Sequence, residues 1–228
     1  MNTPSSAAAW AWIRWAVLSL GLALTACSSA PPAPEWQMNA KSSIERATEA
    51  QLRGDSGIEA AEFARARAEV ARTGQPTLMA RVELLRCGTR VAALDFAPCS
   101  GFDALAADAA APEQAYARYL AGESMPADAA LLPPAHRSLA TQPAAPDAAL
   151  AAITDPLSKL IAAGVLLRRS QATPGVIEQA VDTASSRGWR RPLLAWLGVQ
   201  QQRAQAAGAE KEAARIQRRI DLVLQAPR

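Results

Sequence analysis

The chain reads as all-α, with antiparallel helix pairs arranged in an irregular α-α array. Three observations predict this. Apolar residues recur at three- and four-residue spacing along most of the chain. No stretch alternates apolar and polar residues between hairpin turns, as a half-buried strand does. Glycines and prolines punctuate the periodic segments at the places where helices stop and start. Half of the residues are apolar and only 5% are aromatic. Much of the apolar share is alanine, so tight helix packing is expected rather than a core of large rings.

The elements follow in order. A first helix over about Met38 to Arg53 aligns Ala40, Ile44 and Ala47 before Gly54. A second, about Ser56 to Arg72, places Phe63, Ala66 and Val70 on one face and ends near Gly74. Pro76 suits the first turn of a third helix, where Leu78, Val82, Leu85 and Ala92 form a stripe and which ends near Asp95. Pro112 starts a short helix holding Tyr116, Arg118 and Tyr119, stopped at Gly122. A Pro/Ala-rich crossing segment with one or two short turns follows, with Pro126, Pro133, Pro134, Pro143 and Pro146.

Regular helices then resume. From about Pro156 to Ser170, Leu157, Leu160, Ile161, Gly164 and Leu167 face one way. The next helix aligns Ile177, Ala180, Val181 and Ala184 and ends at Gly188. Leu193, Trp196 and Leu197 follow in a helix that accepts Pro192 in its first turn and ends near Gly208. The last, from about Ala209 to Leu224, turns Ala213, Ile216, Ile220 and Val223 inward. The expected organisation is an N-terminal helical part over 38–122, a crossing segment over 123–150 and a C-terminal basic helical part over 151–228. Short connections favour antiparallel neighbours.

The first 26 residues divide like a secretory leader. Arg14 is the only charge before Cys27, and the apolar run from Trp15 to Leu24 is roughly half of the ~20 residues that a membrane span needs. Reading Ala7 to Ala26 as a spanning helix would place Arg14 near its middle, at about 2.5–3.5 kcal/mol on insertion scales. Tryptophans 10, 12 and 15 suit an interface in that alternative. The run closes on Leu24-Thr25-Ala26-Cys27. That tetrapeptide resembles the lipobox of bacterial lipoproteins. The resemblance implies cleavage between Ala26 and Cys27, a diacylglycerol on the Cys27 thiol and a further acyl chain on its amino group. Several chains anchor stably where one binds marginally. Ser28, standing where the sorting pattern has Asp for inner-membrane retention, implies the outer membrane. Residues 27–37 then form a lipidated Pro/Ala tether.

Removing 26 of the 228 residues leaves 202, enough for one substantial core or two small ones. Charge is uneven along that mature chain. Residues 27–155 carry 11 basic and 16 acidic side chains, and residues 156–228 carry 12 basic and 5 acidic. The C-terminal excess suggests an anionic partner, set against the ordinary alternative of a charged helical surface. No nucleic-acid motif accompanies the charge, so nucleic acid is not expected as a partner.

In an exported chain, Cys87 and Cys99 argue for one disulfide. A helix carrying Cys87 can end near Asp95, and Pro98 and Gly101 let the chain fold back. So short a loop would contribute roughly 2–3 kcal/mol by constraining the unfolded chain. No metal is expected: two thiols lack companions, and the single histidine is His136. The eleven-residue spacing is unlike a two-residue redox motif.

Segment 45–76, with Ala47, the Gly54-Asp55 turn, Phe63 and Ala66, resembles a tetratricopeptide-type helix pair. The resemblance covers this one pair and implies a helical surface of the kind that binds peptides.

Catalytic chemistry finds little to build on. His136 sits in an expected surface loop without a nucleophile or carboxylate at triad spacing. Glu62, Arg65 and Glu69 interleave as on a solvated helix face. No phosphate loop, nucleophile elbow or cofactor motif is visible, so no cofactor is expected. Trp189, Arg190 and Arg191 form the most distinctive cluster and have the composition of a binding hot spot. The alternative places Trp189 as the closure of the turn after Gly188. Tyr116 and Tyr119 are a second binding candidate. The resulting expectation is an outer-membrane lipoprotein whose noncatalytic domain binds an envelope protein or peptide. An envelope enzyme acting on cell-wall material and a structural spacer remain the alternatives.

Overall fold

The computed structural model describes residues 33–141 and 143–225. The expected leader over 1–26, Cys27 and most of the expected tether over 27–37 lie outside the described residues. Every regular element among those described is helical. In chain order they are α1 (Glu35–Arg53), α2 (Ser56–Ala71), α3 (Pro76–Ala92), a single turn α4 (Ser100–Asp103), α5 (Ala111–Ala121), α6 (Pro146–Ala151), α7 (Pro156–Arg168), α8 (Pro174–Ser186), α9 (Arg190–Ala206) and α10 (Glu210–Gln225). A 3₁₀ turn at Ala106–Asp108 precedes α5, and two more at Pro126–Ala130 and Pro134–Leu139 carry the crossing segment. None of the described helices is long and apolar enough to cross a membrane.

Glycine stops and proline starts set these boundaries. Gly122 has φ +79 and Gly188 φ +64, a left-handed conformation that costs glycine nothing. After each, the chain bonds back to the helix it has left: Glu123 N–H to the Arg118 carbonyl at 2.8 Å, and Trp189 N–H to that of Ala184 at 3.0 Å. Prolines open α3, α5, α6, α7 and α8 in their first turns, where no intrahelical N–H is needed. Asp155 and Thr173 cap α7 and α8 by accepting the Ser158 and Val176 amides at 2.7 and 3.1 Å.

Helix α1 begins at Glu35, earlier than expected. Its first turn takes up Trp36, which packs against the neighbouring core instead of ending a tether. Helices α1 and α2 form a hairpin around a small core of Ala40, Ala47, Phe63, Ala66, Val70 and Val82. The large core runs from Leu52 to Ile216 and draws on α3, α5, α7, α8 and α9.

Helix α3 belongs to both cores. Val82, with Leu78 and Met79, meets the hairpin, while Ala80, Leu84, Val91 and Ala92 face the large core. Two buried faces leave a narrow outer strip, and Leu85, expected in the apolar stripe, lies there 42% exposed.

Helix α7 is the centre of the molecule. Every residue from Leu160 to Leu166 is buried, so the expected one-sided stripe is an all-round apolar surface. It crosses α3 so closely that a Cβ at Gly164 would strike the Val91 carbonyl. Helices α7 to α10 then pack each on the next. Helix α9 also returns to α1, joining the C-terminal helices to the first.

Candidate functional site

Of the Trp189 cluster, the indole lies inside the fold and Arg190 and Arg191 are half-buried beside it. Trp189 is 5% exposed, and its Nε1–H donates to Oε2 of Glu49 on α1 at 3.1 Å. Arg191 donates to Gln51 Oε1 at 3.0 Å and Ser56 Oγ at 2.8 Å. Arg190 turns the other way and donates to the carbonyls of Val223 and Leu224 at 3.2 and 3.3 Å, at the end of α10. These side chains bind other parts of their own chain. The residue types of a hot spot therefore serve here as a latch between α9, α1 and α10.

Tyr116 and Tyr119 point inward too. Their rings stack with centroids 6.0 Å apart, and the His136 ring lies 4.9 Å from that of Tyr119. His136, expected on a surface loop, is 2% exposed because the 3₁₀ turn Pro134–Leu139 packs on α7. Tyr119 Oη and His136 Nδ1 share a hydrogen bond at 3.2 Å. Burial pushes the imidazole pKa down to about 4, against an opposing pull from Asp155. Burial raises both phenols. The cluster is a neutral, aromatic part of the core.

The acids of α2 also depart from expectation. Glu59 and Glu62 are buried, as are Glu83 on α3, Glu113 on α5 and Asp128 in the crossing segment. Each meets an arginine. Arg86 Nε lies 2.7 Å from Glu59, Arg46 Nη2 2.9 Å from Glu62, Arg81 Nη2 2.6 Å from Glu113 and Arg118 Nε 3.0 Å from Asp128, and Arg67 pairs with Glu83. The Arg46 hydrogen bond holds the Glu62 carboxyl below its ordinary range, and Arg118 with the Met125 amide holds Asp128 down to about 2. A surface face of Glu and Arg at helical spacing becomes an interface once a third helix covers it.

The sulfurs of Cys87 and Cys99 lie at disulfide distance, with Cα atoms 5.9 Å apart. The pair ties α3 to the loop that begins at Leu94, whose φ of +59 is strained for a side-chain-bearing residue. Beside it opens a groove of about 390 Å³ between the end of α3, this loop, the end of α5 and Arg168 of α7. The walls are Leu84, Val91, Phe96, Phe102 and Leu120 together with both cysteines. Arg90, Arg118 and Arg168 line it, as do Asp103 and Glu123. Two of the arginines are occupied: Asp95 takes Arg90 at 2.8 and 3.1 Å, and Asp128 takes Arg118. Arg168 lies over the Phe96 ring at 5.3 Å.

Sequence reasoning centred on Trp189 and the tyrosines and passed over this groove. Its signal was present in RCGTRVAALDFAPCSGF, where Phe96 and Phe102 flank Cys99 and Arg90 follows Cys87. Among the described residues no group of three His, Cys, Asp or Glu side chains could hold a metal ion. Comparison with protein-family models, with curated proteins and with solved structures finds no match to this chain.

Proposed function

We propose that the chain is an outer-membrane-anchored periplasmic lipoprotein, and that it acts as a noncatalytic adaptor binding a segment of another envelope protein in the groove beside Cys87 and Cys99. The anchor rests on Leu24-Thr25-Ala26-Cys27. The binding role rests on one observation. The five buried carboxylates are each engaged by an arginine and join helices or turns, whereas the groove is lined by apolar and aromatic side chains together with guanidinium groups. Such walls suit binding more than acid–base chemistry, which asks for a carboxylate or imidazole with a displaced pKa facing substrate.

The test is site-specific photo-crosslinking in intact cells. A photoreactive residue at Ala97, on the groove wall, should give a discrete adduct with an envelope protein. The same residue at Ala207, an exposed position at the end of α9, should not. Equal adducts from both sites, or none from either, would overturn the reading. In parallel, Cys27→Ala should abolish lipid labelling and membrane fractionation.

A further inference from the structure

Within that adaptor reading, on which this step rests, we infer that the groove selects an extended segment carrying one carboxylate between apolar side chains, with the carboxylate seated on Arg168. Arg168 differs from the other two arginines of the groove. Arg90 and Arg118 each hold an aspartate in a two-point contact. Among the described residues Arg168 has no carboxylate partner, and its one hydrogen bond is Nη1–H to the Leu120 carbonyl at a long 3.4 Å. A guanidinium presents five donors in a fixed fork that matches a carboxylate. The Phe96 ring beneath it positions that fork while leaving its donors open.

The surroundings limit what can bind. Half-buried Phe96 and exposed Ala97 and Pro98 offer apolar surface in the same groove, over the buried Leu84, Phe102 and Leu120. Asp103 and Glu123 line the same groove and would repel a second acidic group, so a polyacidic run is disfavoured. The Ala97 N–H is taken by Asp95 Oδ1 at 3.1 Å and Pro98 has none, but the carbonyls of Phe96, Ala97 and Pro98 accept no backbone hydrogen bond and can receive the amides of an extended peptide. One charge, apolar neighbours and open main-chain acceptors together describe a polypeptide segment better than a small anion.

The full-length protein in detergent micelles can be titrated with two capped heptapeptides, one bearing an aspartate between leucines and the other an asparagine in its place. The readout is the Arg168 Nε–H resonance and the backbone amides of residues 96–102. The aspartate peptide should shift these signals and bind about tenfold more tightly than its counterpart. Arg168→Gln should erase that preference, and Arg168→Lys should keep part of it. Equal affinities, shifts confined to residues outside the groove, or no shift at millimolar peptide would overturn the inference. An adduct still formed from Ala97 would then leave the adaptor reading standing without this ligand class, whereas loss of both results removes the two together.

Discussion

Helices α1 to α3 and helices α7 to α10 are both rich in alanine and arginine, yet their arginines meet different partners. In the first group they meet carboxylates: Arg46 and Arg65 on Glu62, Arg67 on Glu83, Arg86 on Glu59. In the second, several reach backbone carbonyls, many of them at helix ends, although Arg191 meets side chains of the first region and Arg215 pairs with Glu212. Arg168 meets Leu120, Arg169 meets Leu139 and Ala140, Arg190 meets Val223 and Leu224, and Arg203 meets Ala172. A cation at a helix C-terminus satisfies orphan carbonyls and the helix dipole without a counter-charge. Part of the basic excess over residues 156–228 is thus put to use within the fold, through Arg169, Arg190, Arg191 and Arg203. The interiors differ in the same sense, with a small alanine and Phe63 core framed by ion pairs beside a large, continuous apolar one.

Removing the indole that joins the two regions should have the largest effect. Trp196 is fully buried, and its Nε1–H donates to the Ala92 carbonyl at the end of α3, at 3.1 Å. Trp196→Ala should lower unfolding free energy by about 3–5 kcal/mol in urea titration. A loss below about 1 kcal/mol would mean that the contact between α3 and α9 contributes little.

Acid should separate the regions by pH. His136, the only histidine, sits in the large core, and burial moves its pKa from 6.5 to about 4. A folded-state pKa below the unfolded one means that protonation favours unfolding. This contribution is complete above pH about 6.5 and fades as pH falls toward 4, by at most about 3 kcal/mol. His136→Gln should flatten the stability profile across that window while leaving lower pH unchanged.

The carboxylates act later. Glu62 and Asp128 lie below their ordinary values through arginine contacts, so their stabilisation is present above about pH 4.5 and is lost as pH falls toward 2. Between pH 5 and 3, amide protection factors in α1 and α2, which the Arg46–Glu62 pair joins, should fall more than those in α7. A parallel fall in α7 would show that the ion pairs do not distinguish the hairpin.

Much of the helical architecture was legible because its boundaries are local chemistry. Gly122 and Gly188 end helices by conformation, and Pro76 and Pro156 open them by lacking an N–H, whatever surrounds them. Burial was less legible, since it depends on what covers a face. Leu85 belongs to an apolar stripe by spacing but falls between the two buried faces of α3. Glu62 and Arg65 have the spacing of a solvated pair until α1 brings Arg46 against them. The groove depends on packing over long separations. Phe96 and Arg168 lie 72 positions apart, and no periodicity brings them together.

The smallest expected effect separates a latch from a binding hot spot at Trp189. Its ring closes the turn after Gly188, while its N–H reaches Glu49, a partly exposed carboxylate on α1. Trp189→Phe keeps an aromatic ring and removes one charge-assisted hydrogen bond, worth about 1 kcal/mol where the acceptor remains wet. Glu49→Gln should cost less, because a glutamine oxygen can still accept the indole N–H. In a cycle with Glu49→Ala, the coupling should come to about 1 kcal/mol and shrink as salt is raised, as expected of a contact to an exposed charge. A hot spot would behave in the opposite way. Trp189→Phe would leave unfolding unchanged, show no coupling to Glu49, and remove the adduct formed from Ala97 in cells. The stability cycle and the crosslink therefore assign Trp189 either to the seam between the two regions or to a partner.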